Sequence, residues 1–119
     1  LEALRVGTEF QLRGGVQVYR NQLLERILRE IPAERRKAYR QLVFNEQTQR
    51  SLSTEILETA EQFFESDLNL SDTARQMFIH RNTLTYRLDK IKKETGLDLR
   101  RLSDAVIFRV LSALPEETK

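Results

Sequence analysis

The chain contains no cysteine, which excludes disulfide bridges and thiolate metal centres. Its one histidine, His80, argues against a zinc site built from protein ligands alone. No apolar run reaches membrane-spanning length and no signal-peptide pattern is present, so nothing points to a bilayer or to export. A cytoplasmic location is therefore expected. Glutamates are plentiful, but neither a nucleophile nor a second histidine accompanies them in an acid/base constellation. No enzymatic activity, cofactor or metal is expected. Gly14-Gly15 is not a phosphate loop either, since it lacks a lysine-serine ending and a strand–helix context. The net charge of +2 decides little by itself.

At 119 residues, 39% hydrophobic and 32% charged, the chain suits one small domain, or a domain with an attachment. Charge is unevenly placed along it. Residues 45–70 carry one arginine against six carboxylates, a balance of −5. Residues 71–101 carry eight lysines and arginines against four carboxylates, a balance of +4. An electropositive segment of this kind matches the footprint of a protein that neutralises phosphates.

Taken in order, Phe10 and Leu12, then Val16 and Val18, alternate with polar residues across Gly14-Gly15, which predicts a short β-hairpin. Asn21 can cap a helix burying Leu23, Leu24, Ile27, Leu28 and Ile31. Pro32 ends it and fits the start of the next helix, roughly Ala33 to Phe44, expected to bury Tyr39, Leu42 and Val43. Arg35, Arg36 and Lys37 read as a solvated cluster. Ser53 caps a helix with Leu52, Ile56, Leu57, Ala60, Phe63 and Phe64 at core spacing and Glu55, Glu58, Glu61 and Glu65 opposite. Ser103 is expected to cap the last helix. Its apolar residues on nearly every side, Ala105 to Leu114, imply either a core-crossing element or a dimer contact.

Residues 71–96 carry the chemistry. Ala74, Met77 and Ile79, then Leu84 and Leu88, define two amphipathic segments joined by a tight turn, the spacing of a helix-turn-helix. At about 100° per residue, Leu84, Leu88 and Ile91 bury together. Asn82, Tyr86 and Lys93 fall almost opposite, with Thr83, Asp89 and Lys90 beside them and Arg81 and Arg87 on the flanks. The first turn of such a helix meets base edges, where arginine grips guanine and asparagine grips adenine bidentately. The candidate base readers are His80, Arg81, Asn82, Thr83 and Tyr86. The candidate phosphate contacts are Asn69, Ser71, Thr85, Arg87, Lys90 and Lys93. Ser71 is expected to cap the first helix of the pair, and Gly96 to end the second.

Ile79-His80-Arg81-Asn82-Thr83-Leu84, Tyr86-Arg87-Leu88, Lys90-Ile91 and Thr95-Gly96-Leu97-Asp98 closely resemble the signature of the C-terminal DNA-binding domain of PucR/CdaR-type bacterial regulators. Phe78 and Asp104 lean toward the carbohydrate-diacid branch. The turn and second helix are also similar to the Fis-type helix-turn-helix, except that Phe78 stands where many such turns have glycine. The resemblance implies an all-α helical bundle, the possible N-terminal hairpin aside. Residues 1–20 would be the tail of an upstream GGDEF-like domain or a leader, 21–48 linking helices, and 49–119 the DNA-binding domain. It further implies sequence-specific binding of double-stranded DNA by a homodimer. A small metabolite, such as a sugar diacid, related acid or purine, would be sensed only by another domain of the full-length protein. The rival is a helical dimerisation or protein-interaction module, with Leu23 to Ile31 and the last helix as partner surfaces.

Overall fold

The computed structural model describes residues 16–116, with side chains from Gln22 onward. Those residues form helices α1 (Val16–Arg29), α2 (Ala33–Val43), α3 (Glu46–Ser51), α4 (Thr54–Glu65), α5 (Leu70–Met77), α6 (Arg81–Thr95) and α7 (Leu102–Ala113). No strand occurs among the described residues, and no helix among them is long and apolar enough to cross a membrane. The all-α expectation holds. The hairpin does not: Val16 and Val18, its second arm, lie in α1, while Phe10 and Leu12 fall outside the described residues. Two alternating valines are a weak strand signal, and the helical run that follows propagates back through them at one hydrogen bond per residue. Asn21 therefore sits inside α1 and not at its cap.

The chain divides into two units, Leu1–Ala38 with Ala113–Lys119, and Tyr39–Ser112. In the first, Leu28 and Leu114 are buried, and the Arg36 guanidinium donates to the Pro115 carbonyl at 3.4 Å. The expected broad apolar face of α1 is only half covered, for Leu23 and Ile27 remain exposed. Helix α2 buries no residue, and Leu42 is 77% exposed and Tyr39 40% exposed. Its many charged residues leave too narrow an apolar stripe to seat it in a core.

The second unit is built on α4 and α6. Ile56, Ala60 and Phe63 of α4 meet Leu84, Leu88 and Ile91 of α6, and Leu52, Leu99 and Phe108 complete the cluster. Phe108 makes an edge-on contact with Phe44, ring centroids 5.2 Å apart, and a tilted one with Phe64 at 6.0 Å. Leu57, counted with the α4 stripe from sequence, is instead exposed. Ser53 caps α4 as expected, its hydroxyl accepting from the Ile56 N–H at 3.3 Å. The short α3 is held by Asn45, whose side chain accepts from the Thr48 N–H at 2.9 Å, and the buried Thr48 hydroxyl donates to the Glu94 carbonyl of α6 at 3.4 Å.

Helix α5 ends by the two hydrogen bonds of a Schellman motif. The Phe78 N–H bonds the Arg75 carbonyl at 3.2 Å and the Ile79 N–H bonds the Ala74 carbonyl at 3.1 Å. That geometry needs a left-handed residue, and Phe78 supplies it at φ +57°. Phe78, standing where many such turns have glycine, thus takes the left-handed backbone itself and does not shift to a different turn, at a cost of about 1–2 kcal/mol for a residue bearing a Cβ. Ala74 and Ile79 on either side both pack against the core. The tight turn follows from burying them together.

Truncation of Leu88, fully buried in α6, should destabilise the fold by about 2–5 kcal/mol, whereas Leu42→Ala should stay within about 0.5 kcal/mol of wild type. Urea unfolding of the two variants checks this contrast.

Candidate nucleic-acid interface

Two helix starts and one helix face make up the site. Helix α5 packs on both α4 and α6, and α4 packs on α6. The cap of α5 is Asn69, whose side chain accepts from the Asp72 N–H at 2.8 Å. Ser71, expected as the cap, instead lies in the first turn of α5. Half-buried Leu70 draws the helix start upstream because it packs against the core. Asn69 also accepts at its carbonyl from the buried Thr73 hydroxyl, at 2.7 Å. An ion pair between Asp72 and Arg75 lies on the exposed side of α5.

Helix α6 begins at His80, whose ring Nδ1 accepts from the Asn82 N–H at 3.0 Å. A neutral imidazole accepting there keeps its proton on Nε2. Arg81 and Asn82 are exposed, Tyr86 is 65% exposed, and Lys93 is exposed further along. Thr83 and Thr85 are half-buried on either edge. The face opposite Leu84, Leu88 and Ile91 is thus open from end to end. Lys90 stands on its border, 3.5 Å from Glu94 one turn on.

Arg87 is turned another way. Its guanidinium donates to the Thr59 hydroxyl of α4 at 3.0 Å and lies 3.9 Å from Glu55, and its side chain is only 16% exposed. The Thr59 hydroxyl in turn donates to the Glu55 carbonyl at 2.8 Å. Arg87 lies about 60° round the helix from Leu84 at 100° per residue. That angle directs it to the neighbouring helix, and it could have been drawn from sequence. The geometry is that of a brace between α4 and α6.

A second brace, missed in the sequence, fixes the far end of α6. Gly96 stops the helix at φ +81°. Beyond it, Arg100 donates to Asp98 at 2.8 Å through Nε and to Asp89 of α6 at 2.6 Å. The Asp98 N–H donates to Asp104 at the start of α7, at 3.0 Å. Ser103 is consequently not the cap of α7: the first turn closes on the Arg101 carbonyl, which accepts from the Ala105 N–H at 2.9 Å. The Arg100 hydrogen bond is the main cause holding the Asp98 carboxyl below its ordinary value of 3.8; its partial burial opposes this, and Lys92 adds a smaller pull downward. Arg100 is raised in turn, chiefly by Asp98, and stays charged. The one available signal was the Asp-x-Arg spacing of Asp98 and Arg100.

A short helix capped by asparagine, a strained turn and a longer helix with an open donor-rich face form a helix-turn-helix. Residues 56–114 match the model of the PucR C-terminal helix-turn-helix domain. The chain carries the C-terminal helix-turn-helix domain of the PucR family. It is 49% identical over 45 residues to the Carbohydrate diacid regulator of Escherichia coli, covering 38% of this chain and 12% of that protein. It is 28% identical over 100 residues to the Purine catabolism regulatory protein of Bacillus subtilis, covering 83% of this chain and 19% of that protein. With the protein YsfB of Bacillus subtilis it shares 46% identity over 66 residues, 55% of this chain and 18% of that protein. The chain thus spans less than a fifth of the length of these relatives. No solved structure matches. The PucR helix-turn-helix makes this a DNA-binding unit of transcription regulation.

Because the Asp98 carboxyl is depressed in the folded state, its contribution to stability is in force above its ordinary value and is lost as pH falls through the lower folded one. The stability gap between wild type and Asp98→Asn should therefore stay constant near neutral pH and narrow below about pH 3.8. Urea midpoints across that range measure it.

Proposed function

We propose that α6 enters the major groove of double-stranded DNA and reads sequence there, as the operator-recognition part of a bacterial transcriptional regulator in the cytoplasm. The observation that carries this reading is the open stripe of Asn82, Tyr86 and Lys93 opposite the buried Leu84, Leu88 and Ile91. His80, Arg81, Asn82, Thr83 and Tyr86 meet base edges. Asn69, through its amide N–H groups, and Ser71, Thr85, Lys90 and Lys93 hold phosphates, and backbone N–H groups at the start of α5 favour an anion as well. Arg87 serves by keeping α6 seated on α4.

The signal is a small metabolite, a sugar diacid or related acid, sensed in a part of the regulator outside this chain. The names of two relatives, the Carbohydrate diacid regulator of Escherichia coli and the Purine catabolism regulatory protein of Bacillus subtilis, support a metabolite signal. Two copies act together, because recognition helices of paired subunits address half-sites about 34–36 Å apart. A protein-interaction role alone is the second reading. What favours it is α7, whose Leu102, Val106 and Ile107 are exposed. A second copy meeting that face would reconcile the two readings.

Titration against a site selected from random duplex DNA separates them. Arg81→Ala and Asn82→Ala should each weaken binding by about 1–3 kcal/mol and relax preference at one position. Lys93→Ala should weaken all sequences alike and lower the salt slope by about 1. Unchanged affinity in all three variants would remove the base-reading proposal. Ile107→Glu should reduce self-association in sedimentation runs without altering the sequence preferred.

A further inference from the structure

The reading of DNA by α6 leaves Phe78 without a role. Phe78 is 93% exposed, more than any other large apolar residue among those described. Its backbone is nonetheless fixed, since its own N–H and that of Ile79 close the Schellman motif on Arg75 and Ala74. The left-handed backbone there suits glycine, or next best asparagine. Local physics thus disfavours this side chain twice, by its backbone and by its contact with water.

We infer that Phe78 is an apolar specificity contact to DNA, meeting a thymine methyl group or a deoxyribose at the edge of the site read by α6. Phe78 precedes Arg81 by three residues, a span of at most about 11 Å even when extended. The ring is therefore carried beside the turn that leads the recognition helix into the groove. Its neighbours also point to a polyanion over an apolar protein partner, because the exposed Arg81 follows it in sequence and the exposed Arg75, ion-paired to Asp72, precedes it. Aromatic rings set among cations are suited to nucleic acid, whose sugars and bases offer apolar faces between phosphates. The turn then contributes chemistry that hydrogen-bonding residues on α6 do not supply. The inference rests on the DNA-reading proposal above.

Phe78→Asn and Phe78→Gly both accept the left-handed backbone, so neither should lower the thermal midpoint appreciably. Each should bind the selected duplex roughly tenfold more weakly, the size of one good base-edge discrimination. The slope of log affinity against log salt should not change, because an apolar contact releases no counterion. Replacing thymines one at a time by deoxyuridine distinguishes the two sources. If one replacement weakens wild type but not Phe78→Asn, the contact is to a methyl group; if none does while the variants still bind weakly, it is to sugar. Wild-type affinity in both Phe78 variants overturns the inference. Arg81→Ala, measured alongside, separates the failures: loss there alone leaves the DNA-reading proposal intact, whereas no loss in any variant removes both.

Discussion

The packing of Leu84, Leu88 and Ile91 onto Ile56, Ala60 and Phe63 is the constraint on which the rest depends. All three α6 residues are fully buried, and each burial of this kind stabilises by about 1.5–3 kcal/mol. A helix held along one line has no freedom to roll. Once that line is set, the identity of the residues facing outward follows from the helical repeat alone.

Rolling is prevented by packing, but sliding and tilting are resisted by polar contacts at several points. At one end, the His80 ring satisfies an N–H that would otherwise be unpaired. Midway, Arg87 reaches Thr59. At the other end Arg100 joins Asp98 to Asp89, and Thr48 reaches the Glu94 carbonyl. These are individually modest, about 1 kcal/mol for an ordinary hydrogen bond and up to about 3 for one to a charged group. Their importance is positional, since a reading surface displaced by an ångström presents its donors to the wrong atoms.

Where side-chain periodicity was long and clean, sequence sufficed. The face of α6, that of α4 apart from Leu57, the Ser53 cap and the Gly96 stop could all be drawn from spacing and capping chemistry. Failures came where a local signal had competitors. Asn69 and Ser71 are both good caps two residues apart, and burial of Leu70, a tertiary event, chose between them. Val16 and Val18 alternate, yet the helix behind them is longer. The six residues of α3 carry no apolar stripe, so only the capping by Asn45 and the docking of Thr48 define it. Arg87 looked like one more cation on a basic helix because formal charge says nothing about which neighbour lies within reach. Whether the outward residues touch bases or phosphates depends on a partner molecule, and no spacing rule contains it.

The glycine stop gives α6 a finite length of 15 residues, about 22 Å at 1.5 Å per residue. A major groove is only about 12 Å wide, so a rod of that length cannot keep all of its outer edge over the floor of the groove. On the proposed reading, one end would dip in while the other climbs onto the rim. The stretch of sequence a solitary unit can interrogate is then only a handful of base pairs, too little information to single out one address in a genome. On that proposal a second copy along the duplex would serve counting rather than affinity.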